Sequence, residues 1–299
     1  MNRVTAYIVE FLFKNALIRR ILVSCVVMVM VSGTIMLLFR GEPVQTSPVG
    51  WENSFFISPY TLNAMNISMA SRGNYIASVF QGEDDGEKGI YVSVSFNGGT
   101  EFLQPVKISG IDSTIETRPH AAIAGNGHLA VVWHNLPSGD ISSRIFMAIS
   151  TDMGATWSQP RQLNFNTDME LLPQAFYDDR GILHLFYHAY RKGTVQVFHA
   201  YSEDEKVFED VEPITEMGKK MRGAFFPSIK FKKDNIFIVW QGKGELAGVL
   251  SDDLYFTRST NYGRSWSSPD RITMSRANDA SPSLVIHKNM LYCAYQSNE

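Results

Sequence analysis

The sequence predicts an all-β chain, a β-propeller of four-stranded antiparallel blades, and three observations carry the prediction. An eight-residue pattern returns at Ser95, Ser150, Ser202 and Ser259, so its starts lie 55, 52 and 57 residues apart. A repeat of that length marks propeller blades or another repeat array. Between copies, short alternating stretches of β-branched and aromatic residues are joined by Gly, Asn and Asp turns, which is hairpin chemistry. Beyond residue 50 no stretch has a convincing helical pattern.

The N-terminal part is built differently. Residues 1–20 carry Arg3, Lys14, Arg19 and Arg20, and Ile21 to Phe39 then runs nineteen residues without a charge. That run is long enough to cross a hydrocarbon core as a helix, and the basic flank sets a cytoplasmic N-terminus. The expectation is an uncleaved signal-anchor over 21–39, with no A-x-A-like cleavage site after it. A short linker with Pro43 and Pro48 fills 40–50, and an extracytoplasmic domain spans 51–299.

The units follow one grammar: a Pro near the start, a strand, a turn, a second strand, a polar loop, then the marked hairpin. The first unit leads from Asn66 through the Arg72-Gly73-Asn74 turn to Phe80. The second has Pro119 to Ala124 and His128 to Trp133, the third Pro173 to Tyr177 and Ile182 to Tyr187. The fourth has Pro227 to Phe231 and Ile236 to Trp240, and a fifth has Pro282 to Ile286 and Met290 to Tyr295. Trp51 to Ser58 reads as one more outer strand. About four and a half blades are present, so the expectation is an incomplete ring in a chain truncated at its C-terminus.

The best copy of the marker is Ser150-Thr151-Asp152-Met153-Gly154-Ala155-Thr156-Trp157. Asp bonds nearby backbone N–H groups, Gly accepts positive φ, and Trp offers a large apolar face. Ser95, Asn97, Gly99 and Phe102 keep these places in the first copy; Ser259, Asn261, Gly263, Ser265 and Trp266 keep them in the last. The copy at Ser202 and Asp204 is one residue short and lacks the Gly. The pattern resembles the Asp-box, or BNR repeat, of the sialidase-like β-propeller superfamily, and the resemblance covers roughly 51–299. It implies a six-bladed ring in which the boxes are structural and the opposite face binds the ligand.

On that opposite face, loops supply Arg118, Glu170, Arg222, Arg276 and Asp279 at the first strands and Tyr190 after a second strand; these are the substrate-binding candidates. In sialidases three arginines clamp a carboxylate, a Tyr assisted by Glu is the nucleophile, and an Asp is the acid/base. Bidentate guanidinium groups match a carboxylate, and a Tyr nucleophile suits an anionic sugar. The family's N-terminal Arg-Ile-Pro motif is not found before the first box; Thr117-Arg118-Pro119 is the nearest likeness. No catalytic set is therefore assigned.

Composition narrows the partners. The net charge of -3 comes without a basic block in the repeats, so nucleic acid is not an expected partner. Cys25 and Cys293 form no disulfide framework, and no motif calls for a metal or cofactor; His184 and His188 lack a zinc-site context. Two readings remain: a membrane-anchored propeller that binds glycan or an extracellular protein, and an active exo-sialidase-type glycoside hydrolase.

Overall fold

The computed structural model describes residue 57 and residues 62–84, 87–110, 114–137, 142–165, 167–191, 193–210, 213–215, 221–246, 249–274 and 277–298. The expected span over 21–39, the linker 40–50 and all of the 51–58 strand except Ile57 lie outside them. No helix among the described residues is long and apolar enough to cross a membrane.

The described chain is all β. The first sheet holds β1 (Leu62–Arg72), β2 (Tyr75–Asp84), β3 (Glu87–Ser95) and β4 (Val106–Lys107). The second holds β5 (Thr114–Ile123), β6 (Leu129–Pro137), β7 (Arg144–Ser150) and β8 (Arg161–Gln162). The third holds β9 (Glu170–Tyr177), β10 (Leu183–Arg191), β11 (Thr194–Ser202) and β12 (Glu209–Asp210). The fourth holds β13 (Met221–Lys232), β14 (Asn235–Leu246), β15 (Val249–Ser259) and β16 (Asp270–Arg271), and a hairpin of β17 (Asp279–His287) and β18 (Met290–Ser297) follows. Each four-stranded sheet runs in chain order with antiparallel neighbours.

Repetition extends to single residues. Ser95, Ser150, Ser202 and Ser259 lie opposite Ile76, Leu129, Leu183 and Ile236, at the start of each second strand. Ser150 Oγ accepts a 2.7 Å bond from Gly154 N–H and donates to Asp152 Oδ1. Asp152 in turn accepts from Thr156 N–H at 2.8 Å. Asn97 and Asn261 do the same for Glu101 N–H and Ser265 N–H. Because a carboxylate and an amide carbonyl accept alike, Asp and Asn interchange here. The fourth position of every copy is also left-handed, with φ of 73° at Gly98, 59° at Met153, 60° at Glu205 and 60° at Tyr262.

The sheets stack through apolar faces in chain order. Val79 and Val92 of the first sheet meet Leu129, Val131 and Trp133 of the second. Met147 and Ile145 meet Leu185 and Tyr187 of the third, while Phe186 and Val197 meet Ile238 and Trp240 of the fourth. Val239 and Leu254 meet Leu284 of the hairpin. Removing these faces from water is the main term favouring the stack. The second and fourth boxes dock on the preceding sheet: Trp157 packs on the first cluster and Trp266 meets Phe186 and His199 edge-on.

Candidate functional site

The first strands share a defect that the sequence pattern does not announce. Asn66, Arg118, Leu172, Phe226 and Ser281 all have positive φ, between 50° and 54°. Each sits in or beside a break in the register of its strand pair. These are bulges, and in four of the five the next residue is proline, which has no N–H for the ladder. Residues before proline ordinarily prefer extended backbone, so this conformation is strained.

Four of the bulges meet at one concavity of about 410 Å³. Its walls are Asn66 to Ser68, Arg118 to His120, Leu172 to Gln174 and Phe226 with Pro227, closed by His188 of β10. Side-chain bonds hold the bulges in place. Asn66 Nδ2 donates to Gln81 Oε1 at 2.9 Å and to Thr117 Oγ1 at 3.1 Å, linking the first two sheets. The N–H groups of Leu172 and Ala175 donate to Nδ1 of His134 and His120, at 3.3 and 3.2 Å, linking the second sheet to the third. Gln174 Nε2 donates to the Pro227 carbonyl at 3.2 Å, linking the third to the fourth.

Two features set this concavity apart. Arg118 presents an exposed cation on its wall. His188 is 3% exposed, and neither of its ring nitrogens has a hydrogen-bond partner. A neutral imidazole carries one donor and one acceptor, and leaving both unmet in the interior costs stability. Burial pushes the His188 pKa down to about 4. Burial, aided by Arg118 and His188, does the same to His134. At neutral pH both rings are uncharged and Arg118 is the cation beside them. A second concavity of about 420 Å³ lies among Lys107 to Gly110 and Trp157 to Pro160, but it has no comparable unmet group.

The structure separates the residues singled out from sequence. Arg118 lines the concavity. The backbone of Arg222 belongs to β13, four residues before the Phe226 bulge, and Arg276 lies outside the described residues. Tyr190 is 39% exposed near the end of β10, its N–H bonded to the Met169 carbonyl. Glu170 is fully buried, accepting from Ile145 N–H at 3.1 Å and Thr167 Oγ1 at 3.1 Å. That tie fastens β7 to the start of the next sheet. Equivalent ties are made by Ser109 to Ile90, Thr215 to Val197 and Thr273 to Leu254. Asp279 is buried at the start of β17. His184 is packed away from the concavity, its Nδ1 2.9 Å from His199 Nε2. Among the described residues no group of His, Cys, Asp and Glu is placed to hold a metal.

His120, His188 and Phe226 line the concavity alongside Arg118, and His134 holds its Leu172 bulge. Their sequence signal is the x-Pro that recurs within four of the five first strands, with imidazoles two residues beyond Arg118 and late in β6 and β10.

Comparison with known proteins bears on the fold. The family described as BNR repeat-like domain matches residues 73–299. A crystal structure of a protein of unknown function from Dyadobacter fermentans is similar, with a TM-score of 0.55, 13% identity and coverage of 78% of this chain and 74% of that one. A polysaccharide lyase described as an ulvan lyase gives 0.55 at 11% identity, covering 74% of this chain and 58% of its own. The NanB sialidase of Streptococcus pneumoniae, as a K499G mutant, gives 0.53 at 8% identity, covering 78% and 56%. The chain thus spans somewhat over half the length of the lyase and the sialidase. Comparison with curated proteins returns no match.

Proposed function

The chain belongs to the BNR repeat-like domain family, and from that premise we propose that it binds an acidic carbohydrate in the concavity formed by the first-strand bulges. The observation that carries the reading is the pairing of an exposed Arg118 with a buried, unpartnered His188 on one wall system. A guanidinium suits a carboxylate or sulfate, and a neutral imidazole suits a sugar hydroxyl. The likeness to a sialidase and a polysaccharide lyase supports a carbohydrate as the ligand, although a shared fold does not assign an activity.

The reading is of a binding domain. Glycoside hydrolysis needs an acid/base and a nucleophile at the scissile bond. Among the described residues, neither a carboxylate nor a tyrosine lines the concavity. The alternative is the exo-sialidase-type hydrolase, which the first-strand arginine keeps in play. A calorimetric titration of a soluble chain beginning near Trp51 with sialyl, glucuronyl and galacturonyl glycosides separates the two when run beside a fluorogenic sialoside assay. Binding without turnover, lost in Arg118→Ala, supports the binding domain; turnover lost in the same variant supports the hydrolase; no binding to any acidic glycoside overturns both.

Two wider parts of the reading rest on sequence. The uncharged run 21–39 and its basic flank support a membrane anchor with the repeat domain outside the cytoplasm. Protease accessibility of the repeats in intact cells tests this. The fan of sheets is read as part of a six-bladed ring.

A further inference from the structure

The bulge residues divide by chemistry. Asn66 and Arg118, from the first two sheets, put an amide and a cation on the wall, whereas Leu172 and Phe226, from the third and fourth, put apolar side chains there. Phe226 is the unusual one. It is 58% exposed, although the same sheet buries Trp240 completely. Its φ of 50° puts a bulky side chain in a region that such residues rarely adopt. The left-handed bulge is common to all five first strands, so what sets Phe226 apart is a large aromatic ring left exposed on the wall of a concavity.

We propose that Phe226 is the stacking platform of the concavity, and that the unit it takes is an acidic pyranoside lying with one C–H face on the Phe226 ring and its charged group toward Arg118. The inference rests on the carbohydrate reading above and deepens it. One face of a pyranoside presents C–H groups that match the electron-rich face of an aromatic ring. Covering that ring removes apolar surface from water, which a small inorganic anion cannot do. A neutral sugar covers the ring and leaves Arg118 without an acidic partner. Only a ligand with both features uses both walls, and His188 between them is left to meet a ring hydroxyl.

The test is a calorimetric series on the wild-type chain, Phe226→Ala, Phe226→Trp and Arg118→Ala, with folding of each checked by thermal melting. The probes are the methyl glycosides of glucuronate, galacturonate and N-acetylneuraminate, methyl glucoside and inorganic sulfate. For the acidic glycoside that binds best, Phe226→Ala weakens binding about tenfold or more, whereas Phe226→Trp stays within about threefold of wild type. Sulfate, which cannot stack, responds to Arg118→Ala and not to Phe226→Ala. Saturation of the aromatic protons passes to one face of the bound sugar. If Phe226→Ala binds the acidic glycoside as wild type does while Arg118→Ala does not, the stacking role is overturned and the pocket reading stands. If no acidic glycoside binds wild type, the pocket reading fails and the stacking role fails with it.

Discussion

His134 Nδ1 accepts a hydrogen bond from the backbone N–H of Leu172 across 3.3 Å, so a ring on the second sheet holds the bulge of the third. The bond requires an unprotonated Nδ1. Burial, followed by Arg118 and His188, holds the His134 pKa at about 4 against an ordinary 6.5; burial alone holds His188 at about 4. Both are lowered in the folded state, so the unfolded chain takes up protons first as pH falls. Stability is therefore fully present above pH 6.5 and lost as pH falls toward 4. Urea unfolding at stepped pH should show a loss on the order of 2 kcal/mol for each ring across that window. His134→Gln, which keeps an acceptor without the titration, should remove that ring's share of the dependence and leave the His188 share; an unchanged profile contradicts the assignment.

The box hydroxyl has a separable role. Ser150 is buried, and its Oγ satisfies the Gly154 N–H at 2.7 Å. Ser150→Ala leaves that donor unmet and should cost about 1–3 kcal/mol in chemical denaturation. Asp152→Asn should leave stability nearly unchanged, because Asn97 and Asn261 fill the same place in two other copies.

Those copies show which parts of the architecture sequence makes legible. Ser, Asp or Asn, and Gly form a turn with bonds spanning only two to four residues, so the turn chemistry is local and visible. The hairpin turns between first and second strands are local in the same way. The bulges are not: Arg118, Leu172 and Phe226 precede proline, and local preference points away from a left-handed backbone there. Bonds from neighbouring sheets, such as His134 to Leu172 N–H, impose it. Glu170 is a similar case. It reads as a polar loop residue facing a ligand, but its partner, the Ile145 N–H, is 25 residues away and meets it only once the sheets have packed. Arg118 stands out in the sequence because it precedes Pro in the likeness of a motif, and His188 because it falls after a second strand, whereas Phe226 looks like an ordinary strand residue.

Interlocking of successive sheets can be measured at two glycines. Gly181 and Gly263 have φ of 85° and 81°, but a Cβ on Gly181 meets nothing within 4 Å, whereas one on Gly263 runs into the His199 ring. Gly181→Ala should cost only the backbone term, about 1–2 kcal/mol. Gly263→Ala should cost clearly more, because His199 is buried and paired to His184. Equal losses in thermal unfolding would show that the fourth box does not press on the third sheet as described.

Backbone strain at the pocket gives a prediction opposite in sign to most substitutions. Arg118 holds φ at 54° with an exposed side chain. Arg118→Gly removes the left-handed penalty, so stability should be unchanged or higher by up to about 1 kcal/mol, the glycine entropy offsetting part of the gain. Binding of acidic glycosides should disappear in the same variant. A variant both less stable and fully able to bind would contradict a functional origin for the strain.

The most direct test is to follow the histidine ring nitrogens by NMR while acidic glycosides are added. His188 lines the concavity with both nitrogens unpartnered, whereas His184 and His199 are buried together on the packing face of the third sheet. The His188 resonances should move in a saturable way while those of His184 and His199 stay still. Saturable shifts confined to the packing face or the boxes, or no shift at His188 when a glycoside binds, would contradict binding in the concavity.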